Sequence, residues 1–164
     1  MLSNAIRQKY DMVEDVKSGP KNATMFGLCI GRDQTEERKV LLVGASMSGK
    51  STFAHNIFYD RKRRGRPRCT IGVDVMSVDL TGDGGKIRVN IWDCAGNPRY
   101  MGMGSEYWKG ATHAIIFGTR DNADHKWLHK SLPNSVKRIE ILDYDQDNED
   151  FVERKEWLYN KIYD

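Results

Sequence analysis

The chain has 164 residues, with 26 Lys plus Arg against 23 Asp plus Glu and a formal net charge of +3. That length suits one domain with an ordinary core, and 39% hydrophobic with 30% charged residues excludes a disordered or fibrous chain. No apolar run approaches the roughly 18 residues of a membrane span, the opening MLSNAIRQKY lacks a signal-peptide core, and the charge is too mild to imply nucleic acid. Cys29, Cys69 and Cys94 show no CxxC spacing, so neither a disulfide framework nor a zinc knuckle is indicated. An intracellular, cytoplasmic setting is the expectation.

Taken in chain order, Leu2, Ile6, Tyr10, Val13 and Val16 recur at spacings of four and three, which predicts an amphipathic helix over residues 1–17. Ser18-Gly19-Pro20 ends it, Ala23–Ile30 reads as a short strand, and a polar loop runs to Arg38. Val40-Leu41-Leu42-Val43 is wholly apolar, as expected for a strand buried on both faces. Residues 50–59 read as a helix and 61–68 as a basic loop. Val73–Leu80 and Lys86–Trp92 alternate as strands around the hairpin signal Thr81-Gly82-Asp83-Gly84-Gly85. His113–Gly118 is a further apolar strand, residues 125–137 fit no single period, Arg138–Leu142 reads as a strand, and 149–162 as a final helix. Strands alternating with helices predict an α/β sheet covered by helices.

Gly44-Ala45-Ser46-Met47-Ser48-Gly49-Lys50-Ser51 satisfies GxxxxGK[ST] between the buried strand and the helix. The glycines let backbone N–H groups curl around a phosphate, and the helix adds its N-terminal partial charge. Lys50 would reach the terminal phosphates and the Ser51 hydroxyl would ligate Mg²⁺.

Two further segments narrow the class. Thr70-Ile71-Gly72-Val73-Asp74 lies 19 residues beyond Ser51, and Trp92-Asp93-Cys94-Ala95-Gly96 ends the later strand. With these, residues 38–120 resemble the Ras superfamily of small GTPases, and the Rab branch most closely. TIGVD is similar to the Rab switch I sequence and WDCAG to WDTAG, while SEYWKGA with HAIIF looks like the Rab SYYRGA segment. The resemblance implies a P-loop small-GTPase fold binding GTP/GDP with Mg²⁺. Nucleotide contacts would come from Gly44, Ser46, Ser48, Gly49, Lys50, Ser51, Thr52 and Gly96, and metal contacts from Ser51, Thr70 and Asp93. Thr70 would also report the γ-phosphate to switch I, and Gly96 would anchor switch II.

The chain departs from that pattern at several places. Asn97 stands where the family has a water-orienting Gln; it is one methylene shorter and Pro98 follows it, which predicts slow hydrolysis. Met47 replaces a Gly. The guanine-reading NKxD and SAK segments are absent, and the nearest candidate is the stretch ending at Asp147, in which Tyr144 and Asp145 replace Asn and Lys. Asp143, Asp145 and Asp147 also open like a calcium loop, but Asn148 and Arg154 stand where such a loop needs Gly and Glu. These departures keep open a pseudo-GTPase, a structural or interaction module with weak or no nucleotide cycling. A P-loop kinase or ATPase is disfavoured by TIGVD and WDCAG.

The expected organisation is an N-terminal extension over 1–37 and a Rab-like domain over 38–164 that lacks a last strand and helix. The apolar stripe of the extension, or a covering partner, would shield the sheet edge so exposed. Arg61, Lys62, Arg63, Arg64, Arg66 and Arg68 crowd six cations into eight residues within switch I. They suit an effector or scaffold with an acidic face, and Arg66 or Arg68 could stabilise transition-state charge in cis. No specific nucleic acid is implied. The ending Asn160-Lys161-Ile162-Tyr163-Asp164 has no prenylation cysteine and Leu2 excludes N-myristoylation, so no direct lipid anchor is expected. Among the four histidines, His125 and His129 alone share an i, i+4 spacing.

Overall fold

Val40, Leu41, Leu42 and Val43 are buried because their strand runs through the middle of the sheet, with Val40 and Leu42 on one face and Leu41 and Val43 on the other. The computed structural model describes residues 35–65, 68–100, 104–118, 128, 130–142, 144 and 150–163. The expected helix over 1–17, the strand at 23–30 and the His125/His129 pair lie outside them. So do Arg66, Asp143, Asp145 and Asp147.

Five strands form one sheet: β1 (Glu36–Gly44), β2 (Val73–Gly82), β3 (Gly85–Cys94), β4 (His113–Gly118) and β5 (Lys137–Leu142). Their order is β2-β3-β1-β4-β5. β1 runs parallel to β3 and β4, β5 is parallel to β4, and the β2–β3 hairpin is antiparallel. β1 opens at Glu36, two residues before the boundary expected at Arg38, because Glu36 and Glu37 pair with Ile87 and Arg88 of β3. The hairpin turns at Asp83-Gly84, and Asp79 and Arg88, opposite each other in its register, form an ion pair at 2.8 Å. The Arg88 and Lys86 side chains hold the exposed Asp79 carboxyl well below the usual carboxylate range.

Helix α1 (Lys50–Tyr59) covers one face with Phe53, Ala54 and Ile57. The short helix α2 (Gly104–Tyr107) lies on the other side of the chain order, before β4, and Trp108 just after it joins Leu128, Leu132 and Val136 in the core of the opposite face. The final helix, α3 (Phe151–Tyr163), packs on the α1 face with Leu158, Tyr159 and Ile162. Its inward stripe includes Arg154, 8% exposed, whereas Val152 is 69% exposed. Reading only apolar residues therefore blurs this helix's period: a buried arginine and a tyrosine complete the i, i+4 and i+5 pattern. Trp157 meets the Phe53 ring edge-on at 6.2 Å, and Tyr163 donates a 2.5 Å hydrogen bond to the Gly84 carbonyl at the hairpin tip. No helix among the described residues is long and apolar enough to cross a membrane.

His113 gives the sheet an acid-sensitive point. It is buried, its Nδ1 lies 3.0 Å from the Thr112 hydroxyl, and its Nε2 has no hydrogen-bond partner. Burial, with Lys137 and Arg38 adding to it, lowers its pKa below the ordinary 6.5. The folded state thus prefers neutral imidazole, so its contribution is intact above about pH 6.5 and is lost as pH falls below that. Urea unfolding at about pH 7 and about pH 5 should show a larger acid loss for the wild type than for His113→Gln. Equal losses would refute the assignment.

Candidate functional site

The phosphate loop occupies the crossover from β1 to α1, where the strand order places it at the head of the central strand. Gly44 has φ +136°, and a Cβ there would overlap the Phe117 carbonyl of β4, so only glycine lets the chain leave the sheet at this point. Gly49, at φ +95°, is the residue preceding α1, and its carbonyl accepts the Phe53 N–H at 2.8 Å. Lys50 folds back over the loop and donates to the carbonyls of Gly44 and Ala45 at 2.9 and 2.7 Å and to Ser48 Oγ at 3.4 Å. The residue is 5% exposed, and burial lowers its pKa while Asp93 pulls it back up.

Three segments far apart in sequence meet at Ser51. Ser51 Oγ donates to Asp93 Oδ2 at 2.5 Å and lies 3.1 Å from Thr70 Oγ1, which is itself 3.3 Å from the same carboxylate oxygen. Asp93 is 1% exposed, and burial raises its pKa against the opposing hydrogen bond from Ser51 and the charge of Lys50. Its second oxygen, Oδ1, is buried without a hydrogen-bond partner. Two hydroxyls and one carboxylate are hard oxygen donors with spare capacity, the kind of set that suits Mg²⁺ shared with substrate phosphates. Among the described residues no group of three His, Cys, Asp or Glu could hold a metal ion.

A cleft of about 140 Å³ opens over this cluster, lined by the loop and by Arg68, Cys69, Thr70, Gly96, Asn97 and Tyr100. Of the expected contacts, Ser46, Ser48, Gly49, Lys50, Ser51, Thr52, Thr70, Gly96 and Asn97 line it, Gly44 and Asp93 do not, and Asp147 lies outside the described residues. Gly96 rests on the loop itself, since a Cβ there would come within 2.5 Å of Ser46 N. Asn97 is turned aside: its Oδ1 accepts the Arg99 N–H at 2.9 Å within the turn Pro98–Tyr100. The Thr70–Gly72 and Ala95–Tyr100 segments are stitched together through the Gly72 backbone, a link no local sequence pattern shows beyond the glycine of TIGVD. Gly72, at φ +71°, donates its N–H to Tyr100 at 2.8 Å and accepts the Ala95 N–H at 2.9 Å. Cys94, beside the site, is pushed up to about 12 by burial, which keeps its thiol protonated and inert.

Met47 carries backbone strain. It sits at φ 62° and is 85% exposed, so no packing offsets the left-handed conformation. Met47→Gly is expected to raise stability by about 1 kcal/mol, read as a higher thermal midpoint. A lower midpoint would show that the side chain supports the loop.

A glycine-rich strand-to-helix loop, its folded-back lysine and a carboxylate at the end of the neighbouring parallel strand define a P-loop nucleotide-binding domain of α/β class. The family described as Roc, Ras of Complex, domain of DAPkinase, matches residues 39–142. The chain belongs to this family of Ras-like GTPase domains and is of the Rab-like small-GTPase kind. It is similar to the Ras-related protein RABA4d of Arabidopsis thaliana, 35% identical over 114 residues, covering 63% of this chain and 49% of the relative. The Ras-related protein RABA1b of the same plant is 35% identical over 116 residues, covering 67% of this chain and 52% of the relative. The Ras-related protein Rab-11A of Dictyostelium discoideum is 29% identical over 109 residues, covering 63% and 50%. The chain thus spans about half the length of the curated relatives it matches.

Proposed function

We propose that this chain is a guanine-nucleotide switch of Rab-like type, binding GTP and GDP with Mg²⁺ and hydrolysing GTP slowly. The observation that carries the reading is that Lys50, Ser51 and Thr70 line one cleft at the head of β1, with the buried Asp93 carboxylate bonded to Ser51 and Thr70 behind them. In this reading the loop amides and Lys50 bind the phosphates, and Ser51, Thr70 and Asp93 hold the cation. Bound Mg²⁺ would neutralise charge building on the phosphate oxygens. Thr70 and Gly96, joined through the Gly72 backbone bonds, would couple the γ-phosphate to both switch segments. The exposed cations Arg61, Lys62 and Arg64, which follow the far end of α1, and Arg68, which lines the cleft, would meet an effector or scaffold with an acidic face.

Slow turnover follows from Asn97, whose amide oxygen is engaged by Arg99 N–H and so is not directed at an attacking water. The same observation favours a second reading, a pseudo-GTPase acting as a structural or interaction module with weak or no nucleotide cycling. Two measurements on the full chain test the pair: identifying nucleotide released on denaturation, and single-turnover hydrolysis of GTP. Released GDP with slow but measurable hydrolysis supports the switch. Bound GTP that never turns over, or the absence of any nucleotide together with no GTP affinity, contradicts the switch and supports the second reading.

A further inference from the structure

Tyr144, which follows β5, reaches back to the phosphate loop and is left unused by the proposed function. Tyr144 lies against Gly49 so closely that a Cβ on the glycine would overlap ring carbon Cδ1. The ring also meets Phe53 edge-on at 5.7 Å and Phe117 at 5.6 Å, and it packs against the core on the α1 face. Arg154 of α3 donates a hydrogen bond to the phenol oxygen and stands over the ring, 4.9 Å from its centroid. Arg154 is itself buried, and its position in α3 follows the first turn built on Asp150, which accepts the N–H groups of Glu153 and Arg154.

We infer that Tyr144, secured by Arg154, is a positioning residue for the phosphate loop, and that it acts on the phosphate cradle and not as a reader of the base. The inference rests on the nucleotide-binding reading above. Gly49 precedes α1 without a side-chain cap, so nothing of its own fixes its left-handed backbone. Its carbonyl accepts the Phe53 N–H, and the Tyr144 ring packs against both of these residues, at the Cβ position of Gly49 and edge-on to the Phe53 ring. The turn between them carries Lys50 and Ser51, which makes the ring a backstop for the groups that would contact phosphate and cation. The phenol is committed to Arg154, so the side chain presents its ring to the loop and its hydroxyl to α3. The last helix is thereby coupled to the phosphate site through two side chains.

The test compares wild type, Tyr144→Ala, Tyr144→Phe and Arg154→Met as full chains, titrated with GTP and with inorganic tripolyphosphate in Mg²⁺, each with a thermal melt. Tyr144→Ala should weaken both ligands by the same factor, about tenfold, because a slightly misplaced cradle loses affinity whatever lies beyond the phosphates. Tyr144→Phe, which keeps the ring, should hold both within about twofold, and Arg154→Met should lose about threefold for both. A loss confined to GTP would overturn the inference by placing the ring against the base. Unchanged affinities with a lowered melting point would also overturn it, since a purely structural role predicts that result. Should Tyr144→Ala fail to fold, Arg154→Met decides alone: parallel losses support the inference and unchanged affinities overturn it. A wild type that binds neither ligand overturns the nucleotide reading itself, whereas binding with insensitive variants overturns only the positioning role.

Discussion

Lys50→Met is expected to weaken binding of a nucleoside triphosphate by about two to four orders of magnitude, because two charge-assisted hydrogen bonds of about 1.5–3 kcal/mol each disappear. The folded chain should tolerate the change. Lys50 is nearly fully buried, burial already disfavours its charge, and methionine fills a similar volume without an ammonium to desolvate. The carbonyls of Gly44 and Ala45 lose a donor, which limits any gain in stability. Calorimetric titration beside a urea melt separates the two effects. Retained affinity would mean that the lysine stays folded back on its own loop when ligand binds.

Gly44→Ala should be the most damaging single change to folding. The added Cβ would overlap the Phe117 carbonyl, a backbone atom of the adjacent parallel strand, and the backbone there is at φ +136°. Neither β1 nor β4 can yield without breaking the register that pairs Gly44 with Phe117. A loss of at least about 3–4 kcal/mol is expected, a large part of the stability of an ordinary domain. Gly65→Ala is the control. Gly65 is also left-handed, at φ +84°, but nothing lies within 4 Å of its Cβ position, so only about 1 kcal/mol should be lost. Urea midpoints of the two variants should differ widely; similar midpoints would show that the strand exit is more pliable than its contacts imply.

The fold was legible where one element has one dominant signal. The apolar run Val40–Val43, the glycine-rich loop, the alternation of Val73–Leu80 and the run His113–Gly118 each match an observed element, and the Rab-like resemblance named the sheet they build. The phosphate loop, Thr70 and Asp93 were legible because their chemistry demands particular residue types at particular element ends. What stayed hidden depends on tertiary partners. Arg154 reads as a surface cation in any helix pattern, whereas in the fold it is buried and bonded to Tyr144, ten residues earlier. Tyr144 read as a lost asparagine, yet its place follows from Gly49, Phe53 and Phe117, which no local pattern brings together. Asn97 reads as a short substitute, and its bond to Arg99 N–H depends on the turn after Pro98.

Magnesium dependence tests the central claim most directly, because the claim joins the phosphate loop to a cation held by Ser51, Thr70 and Asp93. GTP should be titrated into the full chain in Mg²⁺ and again after chelation with EDTA, for wild type and for Asp93→Asn. The account predicts tight binding in Mg²⁺ that falls by at least about tenfold on chelation, with Asp93→Asn weak in both conditions. Equal affinity with and without the cation, or a wild type that does not bind GTP at all, would contradict it.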